Sequence, residues 1–198
     1  MKRLMILFVM LLLSGCVCQD EVHTEHTISE ITICKGLREK ECLETLHKVE
    51  ELLPVELQDR IVETSQLIEI YVGNNQAFLN HMSGKRIHTE GLPYAGITGF
   101  GFADKTIIYS MADDYVLAHE LAHAYEYSFW YDGVKDNPSS SADWQYAYET
   151  EFISSYGQTN VMEFYAECFA MYFRNPKLLK QFCPIAYSLL DEDLGEME

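Results

Sequence analysis

The chain has 198 residues, 48% of them hydrophobic and 13% aromatic. That is enough for one packed domain, too short for two comfortable ones, and too apolar for wholesale disorder. Its formal charge is −17, from 14 Lys and Arg against 31 Asp and Glu. A surface of that sign repels nucleic acid and anionic headgroups, so nucleic acid is not an expected partner.

Lys2 and Arg3 precede an uninterrupted apolar stretch, Leu4 to Leu13, of the length of a secretory signal rather than a membrane span. Leu13-Ser14-Gly15-Cys16 follows and resembles a bacterial lipobox, whose cysteine takes a lipid and becomes the new N-terminus. Residues 1–15 are therefore expected to be a lipoprotein signal peptide, 16–29 a polar tether carrying His23 and His26, and 30–198 a single domain. The expected location is the extracytoplasmic face of the cell membrane, anchored by lipid on Cys16, with a secreted chain as the alternative. Without residues 1–15, 12 Lys and Arg remain against 31 Asp and Glu, a formal charge of −19.

Beyond Cys16 and Cys18, cysteines stand at 34, 42, 168 and 183. Outside the cytoplasm they are free to pair, and the sequence-local choice is Cys34 with Cys42 and Cys168 with Cys183. Free buried thiols are the alternative, because spacing alone does not set connectivity.

Leu37, Cys42, Leu43, Leu46, Val49, Leu52 and Leu53 recur at helical spacing. Pro54 ends that helix and opens another, expected to run to about Tyr71. Asn74-Asn75 marks a turn, and residues 76–103, rich in glycine and aromatics, are expected to hold short strands. Lys105 to Ser110 is a β-branched run, the clearest strand in the chain. Helices are expected over about 114–130, 142–153 and 160–173, and Asn175-Pro176 opens a last helical stretch.

His119-Glu120-Leu121-Ala122-His123 lies inside the first of these three helices. Residues four apart differ by about 40° of rotation, so both imidazoles project from one face and can reach one Zn2+. Glu120, about 100° from His119, stands beside such an ion and can take a proton from an attacking water. A catalytic zinc needs a third protein ligand and one open position. Glu126, one turn beyond His123, reads as a solvated helix residue. A carboxylate from another segment is the better candidate. Thr159 or Asn160 can cap a helix that fixes Glu163 in its first turn, with Glu167 on the same face. One of these carboxylates can bind the metal while the other orients a ligand from behind.

Ser155-Tyr156-Gly157-Gln158-Thr159-Asn160, then Glu163-Phe164-Tyr165-Ala166-Glu167 and Phe169-Ala170, resembles the catalytic domain of anthrax lethal factor and the related Pro-Pro endopeptidases. The resemblance is specific over about residues 96–175. It implies a gluzincin with an α+β, zincin-like fold, mainly helical, whose small mixed sheet has an edge strand flanking the active-site cleft. It also implies His119, His123 and Glu163 on zinc, Glu120 as general base and Glu167 behind the ligands. Tyr156 then donates to the developing oxyanion, and the strand at Ile107-Ile108-Tyr109 pairs with an extended peptide or protein substrate. No residue set licenses Pro-Pro specificity. The leading expectation is a zinc endopeptidase acting on extracytoplasmic protein, and the alternative is an idle, zinc-stabilised surface or binding lipoprotein.

Overall fold

The computed structural model describes residues 27–36, 39–64, 67–72, 105–110, 113–131 and 137–195. The leader, Cys16, Cys18, both tether histidines, the Asn74-Asn75 turn and the strands expected within 76–103 lie outside the described residues. A 3-10 turn, Ile28–Ile31, opens the described chain and buries Ile28 completely. Ile28 thus already belongs to the packed domain, just before the expected end of the tether.

Strand β1 (Thr32–Gly36) leads into helices α1 (Glu39–Glu50) and α2 (Val55–Thr64). Cys42, Leu46 and Val49 line the inner face of α1, whereas Leu43 and Leu52 are exposed. The Gln58 side chain donates to the carbonyls of Glu50 and Leu53, each at 3.0 Å. It thereby satisfies acceptors that the end of α1 leaves open.

Helix α2 stops at Thr64, earlier than the apolar spacing predicts. Leu67–Val72 is not the end of a helix but strand β2. Ile68, Glu69 and Ile70 are all buried, so both faces of the strand are covered. A strand buried on both faces loses its period-two alternation, and its apolar run then passes for helical spacing.

Strand β3 (Lys105–Ser110) completes a parallel sheet of order β1-β2-β3. Ile68 pairs with Thr32 on one side and with Thr106 on the other. The α1–α2 pair forms the crossover from β1 to β2, as a parallel connection requires. All the described strands run parallel, and β3 is an edge among the described residues.

Helix α3 (Asp114–Tyr131) starts where Asp113 accepts from the amides of Tyr115 and Val116, at 2.8 and 3.4 Å. It packs on α1, α2 and α5 (Val161–Arg174). Burial on several sides explains why its apolar residues are not confined to one stripe. Helix α4 (Ala142–Thr150), capped by Ser141, also rests on α5.

The last helical stretch is two helices, α6 (Pro176–Phe182) and α7 (Pro184–Gly195). Pro184 lacks an N–H and its ring disfavours helical backbone at Cys183, so the chain turns there. Glu151 caps α7 from across the fold, accepting from the amides of Ile185 and Ala186 at 2.7 and 3.0 Å.

Phe169 is fully buried on α5, its ring centroid 4.9 Å from that of Phe173 and 6.0 Å from that of Tyr165. Phe169→Ala leaves a cavity there and should cost about 3–5 kcal/mol. Urea unfolding followed by circular dichroism should show the midpoint fall with an unchanged slope.

Candidate metal centre

Helices α3 and α5 pack directly on one another. On α3, Tyr115, His119, Ala122, His123 and Glu126 share one face by spacing; on α5, Glu163, Ala166, Glu167 and Ala170 do the same. Ala122, Ala166 and Ala170 are fully buried, and such small side chains let two helices come close.

Across this contact His119 Nε2 lies 3.1 Å from Glu163 Oε2. His123 Nε2 lies 3.2 Å from that oxygen and 3.2 Å from His119 Nε2. The three atoms form a nearly equilateral triangle. Atoms bound at about 2.0–2.1 Å to one tetrahedral ion stand about 3.3–3.4 Å apart, so the triangle fits zinc in size. Its chemistry fits as well: two imidazole nitrogens and a carboxylate are a zinc donor set. Two ring nitrogens facing each other at this distance need a proton or a cation between them. Among the described residues, these three form the one cluster of His, Cys, Asp and Glu able to hold a metal.

Asn160 caps α5, its Oδ1 accepting from the amides of Met162 and Glu163 at 3.0 and 3.1 Å. The cap sets Glu163 in the first turn, and its carboxylate reaches the histidines rather than serving only its own backbone. Glu167, one turn on, places Oε1 3.2 Å from His119 Nδ1. Its Oε2 accepts from Ser154 Oγ at 2.7 Å, and Ser154 Oγ in turn accepts from the amide of Gly157 at 2.9 Å. A Cβ at Gly157 would stand 2.9 Å from Ile153 Cγ2 and 3.4 Å from Glu167 Cγ. Glycine therefore permits the turn to lie against the carboxylate. Tyr115 completes the support, its hydroxyl donating to the Glu167 carbonyl at 3.2 Å.

Nothing in the sequence marks Ser154 or Tyr115 for this work. A serine outside a cap position and one of 13 tyrosines carry no signal of their own.

Glu120 is buried on α3, adjacent in sequence to His119. Tyr156 lies just before the 3-10 turn Gly157–Thr159, its ring centroid 5.7 Å from that of His119. Burial, then the charges of Glu163 and Glu120, push the Tyr156 phenol well above its ordinary range. Like an ordinary phenol, it keeps its proton at neutral pH and is available as a donor.

Glu126 corrects the reading from sequence. It is 1% exposed rather than solvated, and Oε1 accepts from Asn137 Nδ2 at 3.1 Å and from the Ser139 amide at 3.0 Å. Its place one turn beyond His123 puts it on the inner face of α3, where it fastens residues 137–139 to the helix. Burial pushes its carboxyl up to about 7.

Burial works against a charge on His119, but hydrogen bonds to Glu163 and Glu167 outweigh it and push the imidazole up to about 10. For Glu163 burial is likewise outweighed, here by hydrogen bonds to His119 and His123, and its carboxyl falls well below its ordinary value. The centre without metal thus holds a proton on His119 at neutral pH. The stability from that proton is complete below about 6.5 and lost as pH rises through about 10. Zinc uptake at pH 7.5 should release about one proton per ion and tighten with rising pH. Calorimetry in buffers of different ionisation enthalpy reads that number directly, and zero release would contradict a protonated His119.

Comparison with known proteins places these residues in context. The model of the family described as anthrax toxin lethal factor, N- and C-terminal domain, matches residues 104–193, which include every group of the centre. Curated protein sequences give no match. Among solved structures, the Pro-Pro endopeptidase PPEP-2 from Paenibacillus alvei aligns with a TM-score of 0.60 at 14% identity. The alignment covers 83% of this chain and 97% of that one. The chain therefore has the zincin-like fold of that endopeptidase and, over the segment carrying the triangle, resembles the lethal factor metallopeptidases.

Proposed function

We propose that the chain is a zinc-dependent endopeptidase, exported and tethered through lipid on Cys16 to the outer face of the membrane. The observation that carries the reading is the convergence of His119, His123 and Glu163 beside Glu120 and Tyr156. Structural zinc calls for neither a flanking base nor a phenol donor. The family and fold likenesses support the same reading.

When bound, zinc supplies a Lewis acid and lowers the pKa of an attacking water towards about 7. The chain's own residues do the rest. Glu163 and the two histidines would hold the ion, and Glu167, 3.2 Å from His119 Nδ1, would steady that ring with Nε2 towards it. Glu120 takes the proton of the water as it attacks the peptide carbonyl and passes it to the leaving amine. Tyr156, protonated and pre-placed, donates to the oxygen on which charge develops. Strand β3, an edge among the described residues, offers its backbone to an extended peptide.

Purified chain incubated with a peptide library that includes Pro-Pro sequences should cleave, and a chelator should stop it. Glu120→Gln should keep zinc and lose kcat by roughly 10²–10⁴-fold, whereas Glu163→Ala should lose the zinc. Tyr156→Phe should keep zinc and lower kcat by about 10²–10³-fold. Cleavage indifferent to chelator and to Glu120→Gln defeats the proposal, and zinc binding without cleavage leaves a binding lipoprotein.

The anchor has its own test. Cys16→Ala should abolish labelling of the chain by a fatty-acid analogue, and labelling that persists removes the lipid.

A further inference from the structure

The four described cysteines are thiols in this structure, and they stand in two pairs. Cys34 Sγ, on β1, lies 2.7 Å from Cys42 Sγ in the first turns of α1. Cys168, in the middle of α5, neighbours Cys183 at the corner between α6 and α7, close enough for the two thiols to act on one another. Cys168 and Cys183 are both 0% exposed.

A buried thiol behaves as a small hydrophobe and is content against any apolar neighbour. Nothing in packing requires one cysteine to meet another, yet each of the four meets a cysteine. The sulfurs of the first pair also approach more closely than a thiol–thiol hydrogen bond requires. Metal binding does not account for the pairs, since neither belongs to a cluster of three candidate ligands among the described residues.

We propose that the chain carries two intrachain disulfides, Cys34–Cys42 and Cys168–Cys183, closed by disulfide exchange in an oxidising compartment. The setting rests on the proposed export; the pairing rests on the contacts alone. For each bond, a thiolate attacks a disulfide of an oxidant, a thiol oxidase in the cell or oxidised glutathione in the tube. The second cysteine then displaces the mixed disulfide. Two S–H bonds are lost and one S–S bond forms. Two electrons and two protons convert the oxidant's disulfide to two thiols.

The first bond staples the sheet to the helical layer. The second ties α5 to the C-terminal helices one residue beyond Glu167, which supports His119. The two differ in access: Cys34 is half-buried, whereas Cys168 and Cys183 are sealed. Mild reductant should therefore open Cys34–Cys42 in the native protein, and Cys168–Cys183 should open only on unfolding.

The full chain with its own leader is expressed in an exporting host, denatured without reductant in an alkylating reagent, and mapped by mass. Expected are two cross-linked peptide pairs, 34 with 42 and 168 with 183, each lighter by about 2 Da than its two thiols. Links that cross these pairs overturn the proposal. If the chain stays in the cytoplasm, the export reading fails and a second arm decides the pairing. There, purified full chain is unfolded, reduced and refolded in a mixture of oxidised and reduced glutathione, so that the sealed pair is reached.

Both bonds should then close, and the midpoint of thermal unfolding should rise by roughly 10 °C. Cys168→Ser with Cys183→Ser should lose its share of that rise. Cys34, Cys42, Cys168 and Cys183 all alkylatable after glutathione treatment, or an unfolding midpoint indifferent to reductant, overturns the proposal.

Discussion

Helices α3 and α5 meet across fully buried alanines, and that one contact sets two imidazoles and two carboxylates at once. His119 and His123 keep their mutual spacing from α3 alone, but Glu163 reaches them only because α5 lies close. Glu167 then holds His119 from the far side of the ring. A bulkier residue at Ala122 or Ala166 would part the helices and open the triangle without touching any ligand. The core of aromatics behind α5, Trp144 and Phe164 to Phe169, keeps that helix from shifting away.

The centre is also a problem in charge. Glu120, Glu126, Glu163 and Glu167 lie within or beside one small volume in a chain already at −17. Buried carboxylates of one sign repel, and a cation between them relieves that repulsion. Without a metal, the available remedies are the proton on His119 and the raised carboxyl of Glu126. A divalent ion replaces the first remedy with a stronger one, so metal binding and folding stability are linked in this protein.

Much of this was legible in the sequence because helical spacing is a geometric statement. A spacing of four between the histidines fixes a shared face, and a capping asparagine three before Glu163 fixes its turn. The strand at Lys105–Ser110 showed itself by β-branching. What escaped detection had lost its periodicity or never had one. Strand β2 is covered on both faces, so Ile68, Glu69 and Ile70 are buried alike and no exposed position among them marks a period of two. Glu126 looked solvated because acidic helix residues ordinarily are; its partners, Asn137 and Ser139, come from a segment whose return to α3 no local pattern announces. The break at Cys183 went unread in the single last helical stretch, although Pro184 marks it. Ser154 was not legible, since its role exists only once the turn at Gly157 folds onto Glu167.

That turn has a consequence for how the site can change. Tyr156 lies one residue before Gly157, and Gly157 is locked through Ser154 to the carboxylate that steadies His119. The phenol and the metal's support are therefore one mechanical part rather than two. A change of backbone that swings the tyrosine also pulls on Glu167, and through it on the His119 ring. The turn at Gly157 is thus a coupling element: a small displacement there is felt at the phenol and at the His119 ring together.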